Sequence, residues 1–527
     1  MKNSFRLGVA CFLFSSTLPA MAATDTVNNL PENLQHLPNT IERALTQFHT
    51  PGMSVGIIKD GEVVYLDGHG LRDVENQLPV TPDTWFRLAS TSKAFTATTV
   101  AQLVDENVLS WDTRITDILP EFQMADPWVT REMDITDLLT HRSGLGSGAG
   151  DSMLWPEPSG FSRDEIIHNL RYLTPQYSFR REYAYSNVMY ITAGELVARK
   201  TEMSWETRLQ ESVFKPLGMT CFGGDVPKKV LDNRALSYGH NDERGIYPIP
   251  RNQIDAKGIV SAAAGGVSCN APDMLRWLQM WLDKGKLPSG EPLISEESVK
   301  YMLSPHTVLS VDDTDRAWDD MQFKAYGLGW RLMDIHGYKV VSHTGTLSGY
   351  QAYVAFVPEL SLGVVVLNNG SNYGARGAVM QTILKGYMPE AAPADWVAQY
   401  QSYQDERETR YLESYVNPIG SGRVLLETDA YTGTFVDRWF GAFTLIRQGT
   451  DIRISSEKMP MLTGTVEPFD AHTFTIHWDN QNAASDAFIR FEVDVENNVN
   501  GFTLYPFTVR KKENHEWRDM HFVRQDD

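Results

Sequence analysis

The chain has 527 residues, too many for one ordinary hydrophobic core, so two or more domains are expected. Its 42% hydrophobic and 22% charged content excludes a disordered chain. A formal net charge of −20 serves solubility and argues against nucleic acid as a partner, which needs a basic face.

Residues 1–22 read as a cleavable signal peptide. Lys2 and Arg6 form the positive start, Leu7 to Leu18 the short apolar core, and Ala20-Met21-Ala22 the small-x-small cleavage pattern near Ala22. The expected location is therefore periplasmic or secreted. Cys11 leaves with the signal, and its flanks do not match the spacing of a lipid anchor. The apolar core is too short for a stable membrane span, and no later stretch is long enough; Leu362 to Leu367 reads as a buried strand. Two cysteines remain, Cys221 and Cys269. An exported protein permits one disulfide between them, but two separate buried thiols are the preferred reading. Neither cysteine has a partner at metal-ligand spacing and His-Glu-x-x-His does not occur, so neither a metal nor another cofactor is expected.

Met53 to Ile58 and Glu62 to Leu66 are β-rich runs joined by Lys59-Asp60-Gly61, a hairpin signal. Gly52-Met53-Ser54-Val55-Gly56 matches Gly-x-Ser-x-Gly, yet that nucleophile elbow requires a helix after the serine. Here a strand and turn follow, so Ser54 reads as a strand residue. Ser90 and Lys93 come next, after Trp85-Phe86 and before Phe95, Thr99, Leu103 and Val104 at helical spacing. A helix starting near Ser90 brings the hydroxyl and the amine together, one turn apart. A desolvated lysine can take the proton of a serine and make it a nucleophile. The bland alternative is a capping serine beside a solvated lysine.

Ile115 to Leu119 and Ile135 to Leu139 read as short helices. Leu138 to Leu145 then runs into a glycine-rich loop ending at Gly150. The loop lacks the Gly-Lys-Ser/Thr of a phosphate loop and reads as a mobile loop bordering a pocket. Tyr185 and Asn187 precede an amphipathic helix carrying Tyr190, Ala193, Leu196 and Val197. A phenol can shuttle a proton and an amide can hold a carbonyl or a lysine; a buried tyrosine and a capping asparagine fit equally. Ser261 to Ser268 is a run of small residues that permits close approach, before an apolar helix through Trp277 and Trp281. From Tyr326 onward three β-rich runs, around Val340 to Thr346, Tyr350 to Val357 and Leu362 to Leu367, predict an antiparallel meander.

Ser90-x-x-Lys93, Tyr185-x-Asn187 and His343-Thr344-Gly345, in this order, resemble the active-site serine penicillin-recognising superfamily. The set is most similar to its class C β-lactamase-like branch, which includes D-alanyl-D-alanine carboxypeptidases, D-aminopeptidases and related esterases. Leu138 to Leu145 and Ala262 to Val267 also look like this branch, and the resemblance covers roughly residues 35–385. It implies Ser90 as nucleophile, Lys93 as base and Tyr185 as proton shuttle. It further implies Asn187, His343, Thr344, Gly345 and Thr346 as substrate-binding residues, with the Ser90 and Thr346 N–H groups as the oxyanion hole. The common β-lactamase form has lysine where His343 stands. A histidine carries charge only part of the time near neutral pH, which moves the expectation toward peptides containing D-residues.

Residues 376–425 read as helices and a connector. From about 428, six short strands (Tyr431 to Phe435, Phe443 to Ile446, Ile452 to Ser455, Thr473 to Trp478, Phe488 to Val493 and Phe502 to Tyr505) predict a small barrel or sandwich. It resembles the lipocalin-like domain that follows some peptidase relatives, and it could restrict access, support a homo-oligomer or bind cell-wall material. The expected architecture is an α/β (α+β) β-lactamase-like domain over 30–385, an antiparallel sheet flanked by helices. A helical linker over 386–427 and an all-β small barrel over 428–527 follow. The expected function is hydrolysis of amide bonds in small D-amino-acid-containing peptides through an acyl-enzyme. A carboxylesterase or weak β-lactamase is the nearest alternative, and a non-catalytic sensor of cell-wall fragments the next.

Overall fold

Gly52–Lys59 (β1) is buried along its length because both of its faces are covered. Met53, Val55 and Ile57 alternate toward one apolar cluster, while Gly56 meets Leu275 on the other side. Ser54 is one of its buried positions, paired with Leu367 across the sheet, as read from the sequence. The computed structural model describes residues 25–250, 253–414, 418–449, 451–480, 485–507 and 517–525, so the expected signal peptide lies outside the described residues.

β1 forms the predicted hairpin with Glu62–Asp73 (β2). The later strands are Lys324–Tyr326 (β3), Arg331–Ile335 (β4), Tyr338–Leu347 (β5), Tyr350–Val357 (β6) and Leu362–Asn368 (β7). The sheet runs β2-β1-β7-β6-β5-β4-β3, antiparallel throughout, with short strands added at both edges. The predicted meander is β5-β6-β7. The N-terminal hairpin closes onto β7, so the first and last strands of the domain lie side by side.

Helices cover both faces. Leu37–Gln47 (α1) packs on one of them, and Ser92–Asp105 (α2), Asn187–Thr201 (α3) and Ala271–Leu282 (α4) build the layers on the other. Tyr373–Gly386 (α5) and Trp396–Ser414 (α6) join α1, with Trp396 and Val397 in the same apolar cluster as Met53 and Val55. The segment read as a linker thus carries a helix packed on the first domain. The side chains of α2 from Ser92 to Leu103 are all buried, so this helix lies inside the domain rather than on its surface.

Cys221 and Cys269 form a disulfide, which corrects the preference for separate thiols. Phe86–Arg87, Val267–Cys269 and Phe222–Gly223 make a three-stranded sheet, and that pairing brings the two cysteines to a Cα separation of 4.6 Å. The chain distance of 48 residues gave no hint of it.

The C-terminal part is a closed antiparallel barrel of eight strands between Gly433 and Arg524. All six predicted strands are present. Two more complete the ring: Thr463–Ala471, which closes onto Thr473–Trp478, and the three-residue Phe522–Arg524. The barrel rests on the first domain. Trp439 O accepts from Asn169 at 2.8 Å, Lys458 O accepts from Gly160 N at 2.7 Å, and Lys458 Nζ meets Glu165 at 2.7 Å.

Candidate active site

The chain enters the site through Phe86–Arg87, a short buried strand. Arg87 is fully buried and bonds Glu157 through two nitrogens, at 2.6 and 3.2 Å; Ser261 adds a third bond to Glu157 at 3.2 Å. After Leu88 comes one 3-10 turn, Ala89–Thr91, and the α-helix begins only at Ser92. The expected helix start is therefore two residues later, and Ser90 occupies the tight turn before it. Ala89 has a φ of +49°, a left-handed conformation that costs a residue with a Cβ on the order of 1–2 kcal/mol. Gly345 lies against this turn, where a Cβ would run into the Leu88 carbonyl.

Lys93 projects from the first turn of α2 and is fully buried. Its Nζ lies 2.7 Å from Asn187 Oδ1, 2.8 Å from Ala264 O and 3.4 Å from Ser90 Oγ. Burial holds the amine well below its ordinary range; the Asp151 carboxylate opposes this and the Arg331 charge adds to it. A neutral amine has two N–H bonds and one lone pair. The two nearer acceptors take the N–H bonds, which leaves the lone pair for the serine hydroxyl. The small residues of Ala262–Gly265 let the Ala264 carbonyl reach this position.

Asn187 is the first residue of α3, with Ser186 at the cap position, so its amide is free for the interior. Its Oδ1 accepts from Lys93, and its Nδ2 donates to Asp151 Oδ2 at 2.9 Å. Tyr185 sits above Lys93, the amine 4.6 Å from the ring centre. Burial pushes its phenol upward; the Arg331 charge and the Ser90 hydroxyl pull the other way without reversing it. Tyr185 N donates to Ser147 Oγ and Tyr185 O accepts from Gly148 N, each at 2.9 Å. The glycine-rich loop is thus stitched to Tyr185 and borders the cavity through Asp151.

β5 pairs with β4 only up to Ser342, so its second half offers an edge to the cavity. Thr344 and Thr346 line that edge. His343 is fully buried behind it. Its Nδ1 donates to Thr344 O at 2.8 Å, which makes Nε2 the acceptor of the Tyr326 hydroxyl at 2.9 Å. Burial, then the Arg331 charge, holds this imidazole well below the ordinary histidine value. The part-time cation expected at His343 is therefore a neutral ring. The Gly345 carbonyl accepts from Arg376 on α5.

These residues meet at one cavity of about 540 Å³. Ser90, Tyr185, Asn187, Thr344 and Thr346 line it, together with Asp151, Trp155, Tyr183 and Arg331. A larger cavity of about 630 Å³ lies between Arg163–Asn169 and the barrel and contains neither Ser90 nor Lys93. Asp151 and Arg331 were not singled out in the sequence. Asp151 follows the glycine-rich loop, and Arg331 opens β4, where its Nη1 donates to Thr344 Oγ1 at 3.3 Å. Neither lies in a recurring spacing with Ser90.

The beta-lactamase family model matches residues 37–384, two thirds of the chain and all of the elements that build this cavity. The chain belongs to the beta-lactamase family. It is a serine hydrolase of the β-lactamase and penicillin-binding-protein type, and an enzyme. A domain of unknown function, DUF3471, matches residues 425–520, over the barrel. The chain is 30% identical over 341 residues to penicillin-binding protein 4 of Amycolatopsis lactamdurans, covering 65% of this chain and 86% of that protein. It is 29% identical over 366 residues to an unguisins hydrolase of Aspergillus campestris, covering 67% of this chain but only 65% of that relative's length. It is 27% identical over 388 residues to a D-aminopeptidase of Gluconobacter oxydans, covering 72% and 67%. Among solved structures, the octameric penicillin-binding protein homologue from Pyrococcus abyssi superposes with a TM-score of 0.59 at 20% identity, covering 93% of this chain and 100% of that one.

Proposed function

We propose that the family member described here hydrolyses amide bonds of small peptides containing D-amino acids, through an acyl-enzyme on Ser90. The observation that carries this reading is the Lys93 amine, buried, held below its ordinary range and 3.4 Å from Ser90 Oγ. Lys93 takes the Ser90 proton as Oγ attacks the substrate carbonyl. The N–H groups of Ser90 and Thr346 receive the developing oxyanion; one such donor is typically worth about 3–4 kcal/mol. Tyr185, neutral and above Lys93, passes the proton to the leaving amine. Asn187 orients Lys93, and water then releases the acyl group from Ser90. The open edge of β5, from His343 to Thr346, pairs with an extended substrate, with Thr344 and Thr346 facing it and His343 and Gly345 supporting the strand.

The D-residue preference is supported by the D-aminopeptidase relative. The disulfide, together with the signal-like residues 1–22, supports a periplasmic or secreted enzyme. Among the described residues no helix is long and apolar enough to cross a membrane. The reading is tested by comparing kcat/KM on D-alanyl peptides, a p-nitrophenyl ester and nitrocefin. The D-alanyl peptides are expected to be the best substrates. Turnover of the ester or of nitrocefin with inert peptides establishes the esterase or β-lactamase alternative instead.

A further inference from the structure

Arg376 reaches from α5 to the sheet and is buried there. Burial pulls its guanidinium down to about 10, so it stays a cation near neutral pH. Among the described residues it makes no ion pair; one nitrogen, Nη1, donates instead to two backbone carbonyls, Gly345 O and, at 3.1 Å, Ala352 O. A buried cation without a carboxylate costs stability. The strand register shows what this one faces. Across the two-residue turn Ser348-Gly349, Leu347 pairs with Tyr350 and Gly345 with Ala352. Hydrogen-bonded and non-hydrogen-bonded pairs alternate along an antiparallel ladder, and the tight turn closes on a hydrogen-bonded pair. Two positions along, Gly345 is again in a hydrogen-bonded pair, so its carbonyl points to β6.

The C=O and N–H of one trans peptide point opposite ways. The Thr346 N–H therefore points to the open edge of β5, on the side of the Ser90 cavity that Thr346 lines. The Gly345–Thr346 peptide thus carries a guanidinium on its oxygen and presents its hydrogen to the site. Gly345 also lets the turn holding Ser90 sit against this peptide, since a Cβ there would run into Leu88 O. We propose that Arg376 is a positioning residue for the oxyanion hole: it locks the Gly345–Thr346 peptide and draws charge toward the carbonyl, which strengthens the Thr346 N–H as a donor. A charged donor makes the stronger hydrogen bond and polarises the next one in the chain. The effect grows as the substrate oxygen gains charge, so it acts on the transition state more than on substrate binding. This rests on Ser90 being the nucleophile and on Thr346 N–H receiving the oxyanion.

The test uses whichever of D-alanine p-nitroanilide, a p-nitrophenyl ester or nitrocefin the wild type turns over fastest. Arg376→Met removes the charge at similar length and is expected to lower kcat roughly tenfold or more, with KM within about threefold of the wild type. Arg376→Lys is expected to recover most of that loss, because a single nitrogen makes both bonds. Infrared spectra of the acyl-enzyme read the donor directly, since weaker donation to the acyl carbonyl raises its stretching frequency. The band is expected to move up in Arg376→Met and to stay near the wild-type position in Arg376→Lys. A residue that only braces the sheet lowers the melting temperature but leaves the band and kcat of the folded protein unchanged, and that result overturns the proposal. A loss through KM alone, or equal losses in the two variants, overturns it too. Arg376→Gln takes the place of Arg376→Met in every comparison if the methionine variant does not fold. Mass spectrometry of the same samples separates the two readings. An adduct on Ser90 with an unmoved band defeats the Arg376 assignment alone, whereas turnover without any Ser90 adduct defeats the nucleophile and this proposal with it.

Discussion

Lys93 and Asp151 lie on either side of one amide, Asn187, and burial acts on both in opposite directions. It favours the neutral amine and disfavours the carboxylate, because each loses hydration of its charged form. For Lys93 the result is an amine that gives up its proton well below the ordinary lysine range. For Asp151 burial pushes the carboxyl up to about 7, against the Asn187 hydrogen bond, which pulls it down. Ser90, Lys93, Tyr185 and Asn187 were legible in the sequence because two short spacings carry them. Asp151 and Arg331 were not, because a loop and a strand from elsewhere in the chain deliver them. The neutrality of His343 was also hidden, since it depends on burial and on the Tyr326 bond.

Among the elements, the turn before α2 sets the position of Ser90. Its left-handed Ala89, the Gly345 contact and the buried Arg87–Glu157 pair all hold the same few residues. Truncating Glu157 to Ala removes the carboxylate that pairs with the buried Arg87 charge, with about 3–5 kcal/mol of stability lost. Denaturant unfolding monitored with the Ser90 site intact reads this directly; a loss below about 1 kcal/mol, the scale of an exposed pair, contradicts a buried role. Periodicity revealed β1, β2 and the β5-β6-β7 meander, because their apolar runs and turn residues are local signals. It failed for the barrel strand Thr463–Ala471, where Pro468 lies at a register shift, and for Phe522–Arg524, which is only three residues long. It also missed how deeply α2 is buried, since Thr96 and Thr98 look like polar positions and instead bond backbone carbonyls within the domain.

At the scale of the whole molecule, the disulfide fastens the three-stranded sheet that contains Phe86–Arg87 and so braces the entry to the site. Closing a span of 48 residues restricts the unfolded chain, and replacing both cysteines with alanine is predicted to cost about 2–4 kcal/mol. Identical stability of the wild type with and without reductant contradicts the bond. The barrel seats on Gly160, Glu165 and Asn169, and Arg518 also reaches Gln176 at 3.0 Å beside the glycine-rich loop, while among the described residues the barrel contributes no side chain to the lining of the Ser90 cavity. Two-domain organisation was legible from length and from the change to short strands after about residue 428. The docking was not, because it depends on single bonds such as Trp439 O with Asn169. Covalent catalysis at Ser90 is tested by intact-protein mass spectrometry during turnover of a D-alanyl ester. A mass increase equal to the acyl group is expected, located on the peptide containing Ser90 and absent in Ser90→Ala, which no longer turns over substrate. Full turnover by Ser90→Ala, or an adduct located on another residue, contradicts it.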